Sequence, residues 1–223
     1  MAIGRVMHEN VILFPDFDDF EYGKYDEFWE MQLFLQIPNI TKTDILEYFE
    51  YIALGYSIGR IECDSLFVPM HYLYLNNEIA DNDPNPTYIS EYINIVGQLF
   101  LAGYIDFGLC NLQDKEENLL SRQKDIYQAW IHFRDNFFYT DAFYRDYEIL
   151  DDSEDFSTEE YGKAGWDMPK YWDRYRFWVA RTQKGTKYFN EILSPRFYNK
   201  YKDLEVEIDS KGNVIRWIGQ INR

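Results

Sequence analysis

Cysteine is scarce in this sequence, where Cys63 and Cys110 are the only two among 223 residues. Cysteines so far apart form neither a disulfide framework nor a zinc site, and their apolar neighbours predict buried free thiols. The sequence also lacks an uninterrupted apolar run long enough to cross a membrane. Its first residues lack the charged start and long apolar run of a signal peptide. We therefore expect a cytoplasmic protein without a membrane partner.

Motifs that carry chemistry are missing as well. The sequence contains no glycine-rich phosphate loop, HExxH, CxxC or G-x-S-x-G. Its three histidines, His8, His71 and His132, are scattered along the chain. Carboxylates are abundant, but they acquire catalytic meaning only where they converge in a cleft. We predict that the protein is not an enzyme and has no cofactor or metal site. A metal-dependent hydrolase is a third hypothesis, after the two that are given at the end of this section.

Basic residues are few, with 22 Lys and Arg against 39 Asp and Glu, which gives a net charge of −17. The distribution is uneven. Residues 1–162 contain nine basic and 32 acidic residues, whereas residues 163–202 contain ten basic and three acidic. Such an acidic protein repels phosphate backbones and attracts basic partners at long range. Simple maintenance of solubility is the other explanation of the acidity.

Aromatic residues are the feature in excess, with 20 Tyr, 17 Phe and six Trp. Two segments interleave them with carboxylates. Aromatic side chains supply lasting affinity in protein interfaces, and charge accelerates the encounter. We predict a partner-binding surface formed by Asp16, Phe17, Asp18, Asp19, Phe20, Glu21 and Tyr22, together with Asp151, Asp152, Glu154, Asp155 and Phe156. The first segment resembles a calcium loop only superficially, because Phe20 and Glu21 replace a ligand and a glycine.

The periodicity of apolar residues predicts an α+β fold, mainly helical with short antiparallel strands and a C-terminal β-hairpin. Helices are predicted from Thr41 or Thr43 to Gly55 or Gly59, from Thr87 to Gly103, over residues 113–138, and from Gln183 to Leu193 before Pro195. Thr41 and Asp44 form a capping pair. Strands are predicted at 104–109, at 174–180 and in the hairpin, LEVEID and VIRWIG.

The chain is predicted to form a single compact domain over residues 1–223. The alternative is a division into an N-terminal part, 1–75, and a second part, 87–223, with an insertion at 110–165. The segment 76–86, NNEIADNDPNP, is the clearest loop between them.

Two pieces of the sequence together resemble a winged helix. The first is IVGQLFLAGYIDFG, residues 95–108, which is similar to a recognition helix that enters a wing strand through a glycine. The second is FWVARTQKGTKYFNEIL, residues 177–193, in which Thr182, Lys184 and Gly185 match a step before the closing helix of that family. The resemblance covers about 45 residues and implies a winged-helix-like kernel and nucleic-acid binding. The chain departs from it by a helical insertion of some 65 residues at the wing and by a recognition helix without Lys or Arg.

The basic segment 163–202 has two explanations. In the first, it is a nucleic-acid surface whose residues contact a single nucleic-acid strand: Arg174, Arg176, Trp178, Arg181, Lys184 and Lys187. Alternatively, it packs on the protein's own acidic body, and its charges are neutralised internally. We favour the second explanation, because an acidic body opposes an approaching phosphate chain.

These observations favour an acidic protein-binding inhibitor that neutralises a basic partner, such as an immunity protein or antitoxin against a nuclease toxin. A winged-helix regulator that binds nucleic acid through residues 163–202 is the alternative.

Overall fold

Helices form most of the secondary structure in a computed structural model of the chain, together with short antiparallel strands, as the sequence predicts. The structure describes residues 2–5, 7–8, 11–12, 34–58, 61–62, 66, 88–110, 119–122, 125–138, 176–208 and 214–223. The helices are α1 (Lys42–Tyr56), α2 (Tyr88–Leu101), a 3₁₀ helix (Leu120–Arg122), α3 (Ile126–Phe137), α4 (Gln183–Tyr188), a π-helical turn (Phe189–Leu193) and α5 (Ser194–Tyr201).

The described strands pair in antiparallel sheets. They are β1 (Ala2–Arg5), β2 (Met7–His8), β3 (Val11–Ile12), β4 (Ile61–Glu62), β5 (Ile105–Leu109), β6 (Phe177–Arg181), β7 (Glu205–Ile208) and β8 (Val214–Ile218). One sheet has the order β1-β7-β8, another the order β4-β6-β5, and β2 pairs with β3. The β7–β8 pair confirms the predicted hairpin, with a shift in register between Glu207 and Ile208.

The chain divides into two compact units, residues 1–55 with 183–223, and residues 56–182. The predicted division at 75–87 and most of the predicted insertion lie outside the described residues. In the first unit the core is aromatic: the rings of Phe34 and Tyr48 stack at 4.2 Å, and that of Phe197 lies 4.7 Å from Tyr51 and 4.6 Å from Tyr201. These buried rings bring α1 and α5 together.

The second unit is also built on aromatic contacts. The rings of Phe107 in β5 and Phe133 in α3 stack at 3.6 Å, and Phe133 meets Phe177 of β6 edge-on at 5.1 Å. Gly97 lies so close to the Trp130 ring that an added Cβ would be 2.6 Å from it. The absence of a side chain at this point of α2 therefore lets the Trp130 ring of α3 pack directly against the α2 backbone.

The predicted glycine after α2 has its expected role. Gly103 adopts φ +73°, and the amide of Tyr104 donates to the carbonyl of Leu99, as in a helix end with a left-handed glycine. The hydroxyl of Thr182 donates to the Gly103 carbonyl at 2.7 Å, and β5 pairs with β6. The two pieces that resemble a winged helix thus meet at this turn. These contacts do not identify the family, and the resemblance stays a prediction.

Two helix boundaries differ from the sequence predictions. The helix that begins at Gln183 does not end before Pro195 but continues to Tyr201. Pro195 has no N–H to donate, and the chain adapts through a π turn in which the Ser194 amide donates to the carbonyl of Phe189. In the predicted helix 113–138, the described residues form a 3₁₀ turn and then α3, which starts at an Asp125 cap.

Candidate functional site

The predicted acidic partner-binding residues are Asp16, Phe17, Asp18, Asp19, Phe20, Glu21, Tyr22, Asp151, Asp152, Glu154, Asp155 and Phe156. All of them lie outside the described residues. Their role as a partner surface stays a prediction.

The predicted nucleic-acid residues that the structure describes differ in exposure. Arg176, Lys184 and Lys187 are exposed, Arg181 is partly buried, and Arg174 lies outside the described residues. Trp178 is only 2% exposed, and its neighbours Phe177 and Val179 are fully buried, so both faces of β6 are covered at this position. A base has no open indole face to stack on at this position.

A charged seam connects α1 with α4, α5 and residue 223, all within the first unit. We use this name for Asp44, Glu47, Glu50, Tyr188, Arg196, Lys200 and Arg223. The three carboxylates are spaced three residues apart on α1, and the two cations of α5 are spaced four apart, so each set follows one face of its helix. The seam pairs Arg196 and Lys200 of the segment 163–202 with acids of the N-terminal part, and internal neutralisation of the whole segment stays a prediction.

Asp44 is the centre of the charged seam and is only 1% exposed. Its Oδ2 accepts from the amide of Thr41 at 2.7 Å and from the Thr41 hydroxyl at 2.6 Å. The Asp44 amide donates back to the Thr41 hydroxyl at 3.3 Å, which confirms the predicted capping pair. The Lys200 ammonium lies 2.6 Å from Oδ1, and the Arg223 Nη2 lies 2.9 Å from Oδ2.

These donors keep Asp44 ionised. Burial alone would raise the pKa of Asp44, but the hydrogen bonds from Lys200, Thr41 and Arg223 outweigh burial and hold this pKa well below its usual range. Lys200 also contacts Glu47 at 2.6 Å, so one ammonium bridges two carboxylates. We call Asp44, Glu47, Lys200 and Arg223 the inner half of the seam, in which contacts between α1 and α5 fix the positions of the side chains.

The outer half of the charged seam is more exposed. Arg196 lies 2.6 Å from Glu47 and 3.6 Å from Glu50, with 48% of its side chain exposed. The Tyr188 hydroxyl donates to Glu50 at 2.8 Å. Burial, together with this hydrogen bond, raises the pKa of Tyr188 to about 12.

Tyr201 lies beside the inner half with an exposure of 0%. Within the described part of the chain, its hydroxyl has no hydrogen-bond partner. Burial, and next the charges of Asp44 and Glu47, raise the pKa of Tyr201 well above its ordinary value. Tyr201 therefore stays neutral, and its buried hydroxyl is a local cost in stability.

The segment 219–223 passes over the ends of α1 and α5. Gly219 has φ +84°, and a Cβ there would be 2.1 Å from the Asp203 carbonyl, so only glycine fits. The Asn222 amide donates to the Lys200 carbonyl at 2.9 Å, and its side chain donates to Asp203 at 2.8 Å. These bonds position the next residue, Arg223, over Asp44.

Of the contacts in and around the charged seam, the Thr41–Asp44 cap is the one that the sequence predicts. The spacing of Glu47 and Glu50 and of Arg196 and Lys200 was a usable signal for charged helix faces. The pairing joins residues more than 140 positions apart, and spacing within each helix carries no information about it.

Among the described residues, no group of three or more His, Cys, Asp or Glu is arranged to hold a metal ion. No helix in the same part of the chain is long and apolar enough to span a bilayer. No protein-family model, no curated protein and no solved structure matches the chain.

Proposed function

We propose that this chain is an acidic protein-binding inhibitor that neutralises a basic partner, with an immunity protein or antitoxin against a nuclease toxin as the concrete form. The observation that carries the proposal is that the cations of the charged seam are paired with the protein's own carboxylates. Arg196, Lys200 and Arg223 all contact carboxylates of α1, while the chain as a whole keeps a net charge of −17. Cations held in this way are poorly placed to bind phosphate, and the surplus acids attract a basic surface.

The physical consequence is electrostatic steering. Complementary charge raises the association rate at low salt, whereas buried aromatic contacts slow dissociation. The predicted contact residues in Asp16–Tyr22 and Asp151–Phe156 combine both kinds of side chain. Neutralising the acids should therefore slow association more than it speeds dissociation.

The test begins with capture of a protein partner from the native cell after nuclease treatment of the lysate. Association rates with the captured protein are then measured at several salt concentrations for the wild type, for Asp18→Asn/Asp19→Asn and for Asp152→Asn/Asp155→Asn. We expect the wild-type rate to fall about tenfold or more with rising salt, and both variants to associate more slowly at low salt.

A matched control separates a contact from a change in net charge. Glu191→Gln removes one negative charge from an exposed position of the π turn, outside both predicted segments. It should reduce the association rate, per charge removed, much less than the two double variants. An association rate that does not depend on salt would refute the proposal.

The alternative, a winged-helix regulator, is supported by the exposed positions of Arg176, Lys184 and Lys187. The burial of Trp178 and the net negative charge count against it. DNA binding by the intact protein at low salt, lost in the triple alanine variant of these three cations, would establish the alternative.

A further inference from the structure

Arg223 lies in a seat that has the geometry of a guanidinium-binding site. Its Nη2 donates to the carbonyl of Asn39 at 2.9 Å and to Asp44 Oδ2 at 2.9 Å, and its Nη1 lies 3.5 Å from Asp44 Oδ1. The two nitrogens thus face the two oxygens of one carboxylate, as in a forked arginine–carboxylate pair. We call Asn39 and Asp44 the guanidinium seat.

The seat is fixed without help from Arg223. Asn39 has φ 62°, a left-handed conformation that asparagine tolerates better than most residues. The Ile40 amide donates to the Ile37 carbonyl at 3.2 Å, which holds the turn before α1. Thr41 and Lys200 hold the Asp44 carboxylate at 2.6–2.7 Å. The acceptors therefore keep their positions when the arginine leaves.

The occupant, in contrast, is held loosely. Arg223 is 48% exposed, so its guanidinium reaches Asp44 from the solvent side and leaves without opening the aromatic core. Asn222 keeps its own bonds to the end of α5 in either case. Exchange of the guanidinium thus requires the loss of three hydrogen bonds to the seat.

We propose that the guanidinium seat binds arginine side chains of the basic partner, and that Arg223 occupies it in the free protein as an intramolecular substitute. This inference rests on the proposed function for the source of the arginine. The chemistry of the seat does not depend on the proposed function, because any guanidinium group that can reach Asn39 and Asp44 makes the same contacts. The seat selects guanidinium over ammonium, since two oxygens in one plane match a planar fork and not a point charge.

The test is rescue of a vacated seat in the full-length protein. Arg223→Ala should lower the melting temperature by about 3 °C, the shift expected for loss of one half-exposed pair in a chain of this size. Millimolar methylguanidinium should restore at least half of that loss, whereas methylammonium at the same concentration should restore none. The wild type should show no increase with either compound.

Two further variants and one further probe make the result decisive. Arg223→Ala/Asp44→Asn should lose the rescue, and Arg223→Lys should be rescued less than Arg223→Ala because lysine retains a charge in the seat. N-acetylarginine methylamide should rescue as well as methylguanidinium, because a partner would present the group on a peptide. Equal effects of methylguanidinium on Arg223→Ala and wild type would overturn the seat. If methylguanidinium rescues the variant and N-acetylarginine methylamide does not, the proposal that the seat binds a partner's arginine is overturned.

The rescue experiment contains no partner protein. A positive rescue with no basic partner in the cell would therefore refute the proposed function and leave the guanidinium seat standing. If the rescue fails and salt-dependent partner binding is intact, the guanidinium seat is refuted and the proposed function stands.

Discussion

Replacement of Asp44 by asparagine is the most informative perturbation of this protein. Donors from Thr41, Lys200 and Arg223 converge on its two oxygens, and asparagine supplies only one oxygen of similar position. The amide NH₂ must then face either the ammonium of Lys200 or the donors of Thr41. Because a buried ion pair that loses one partner costs about 3–5 kcal/mol, and Lys200 keeps Glu47 as a second partner, we expect Asp44→Asn to lower the free energy of unfolding by about 3 kcal/mol at neutral pH.

The assay is urea denaturation followed by far-UV circular dichroism, with hydrogen exchange of the α1 and α5 amides to localise the effect in the first unit. Asp135→Asn is the matched control, since the Arg134–Asp135 pair is about 30% exposed on both sides. The control should change the free energy of unfolding by less than about 0.5 kcal/mol. A loss below about 1 kcal/mol for Asp44→Asn would refute the view that the inner half of the charged seam organises this unit.

The effect of Asp44→Asn on stability should depend on pH, with a definite sign. The pKa of Asp44 is lowered in the folded protein, so its contribution is fully present above the pKa of the unfolded carboxyl, about 3.9. It is lost as pH falls below that value toward the folded pKa. The difference in stability between wild type and Asp44→Asn should therefore be constant from about pH 5 to 7 and shrink below about pH 4. A difference that does not change with acidification would contradict the ionised state of Asp44.

The remaining predictions concern buried groups. Tyr201→Phe removes a buried hydroxyl that has no partner among the described residues, so thermal unfolding should show unchanged or higher stability, by up to about 1 kcal/mol; a clear loss would indicate a bound partner for this hydroxyl. Gly97→Ala would place a Cβ 2.6 Å from Trp130 and should cost about 1–3 kcal/mol, whereas Gly55→Ala, whose Cβ meets Phe189 at 3.8 Å, should stabilise α1 by up to about 1 kcal/mol. Equal effects of the two glycine substitutions in urea denaturation would contradict the close contact of Gly97 with Trp130.

Local signals in the sequence located several elements well. The Thr41–Asp44 cap, the Gly103 helix end and the hairpin near the end of the chain depend on residues close to one another, and such interactions act with or without the rest of the fold. The end of the helix at Pro195 was predicted wrongly for the complementary reason. Packing of Phe197 on Tyr51 of α1 and of Tyr201 on Phe34 makes continuation of the helix favourable, and a π turn accommodates the missing N–H.

Alternation along a strand was an incomplete guide to exposure. Arg176 and Trp178 are two residues apart in the predicted strand 174–180, so alternation predicts the same side for both, yet Arg176 is exposed and Trp178 is buried. Phe177, Trp178 and Val179 are consecutive and all buried, so both faces of β6 are covered, whereas Arg176 precedes the strand. What covers each face of a strand is a property of the fold and not of the five residues of β6.

The sequence alone determined the charge balance, the aromatic content, the class of fold and the positions of caps and turns, because each depends on composition or on residues within one helical turn. Only the tertiary structure decided which charges meet. Asp44 is an ordinary capping residue in the sequence; in the fold it is a buried carboxylate that receives Lys200 and Arg223 from more than 150 positions away. Burial strengthens the contact with Lys200, since an ion pair outside water is screened far less than one on the surface, whereas Arg223 is half-exposed.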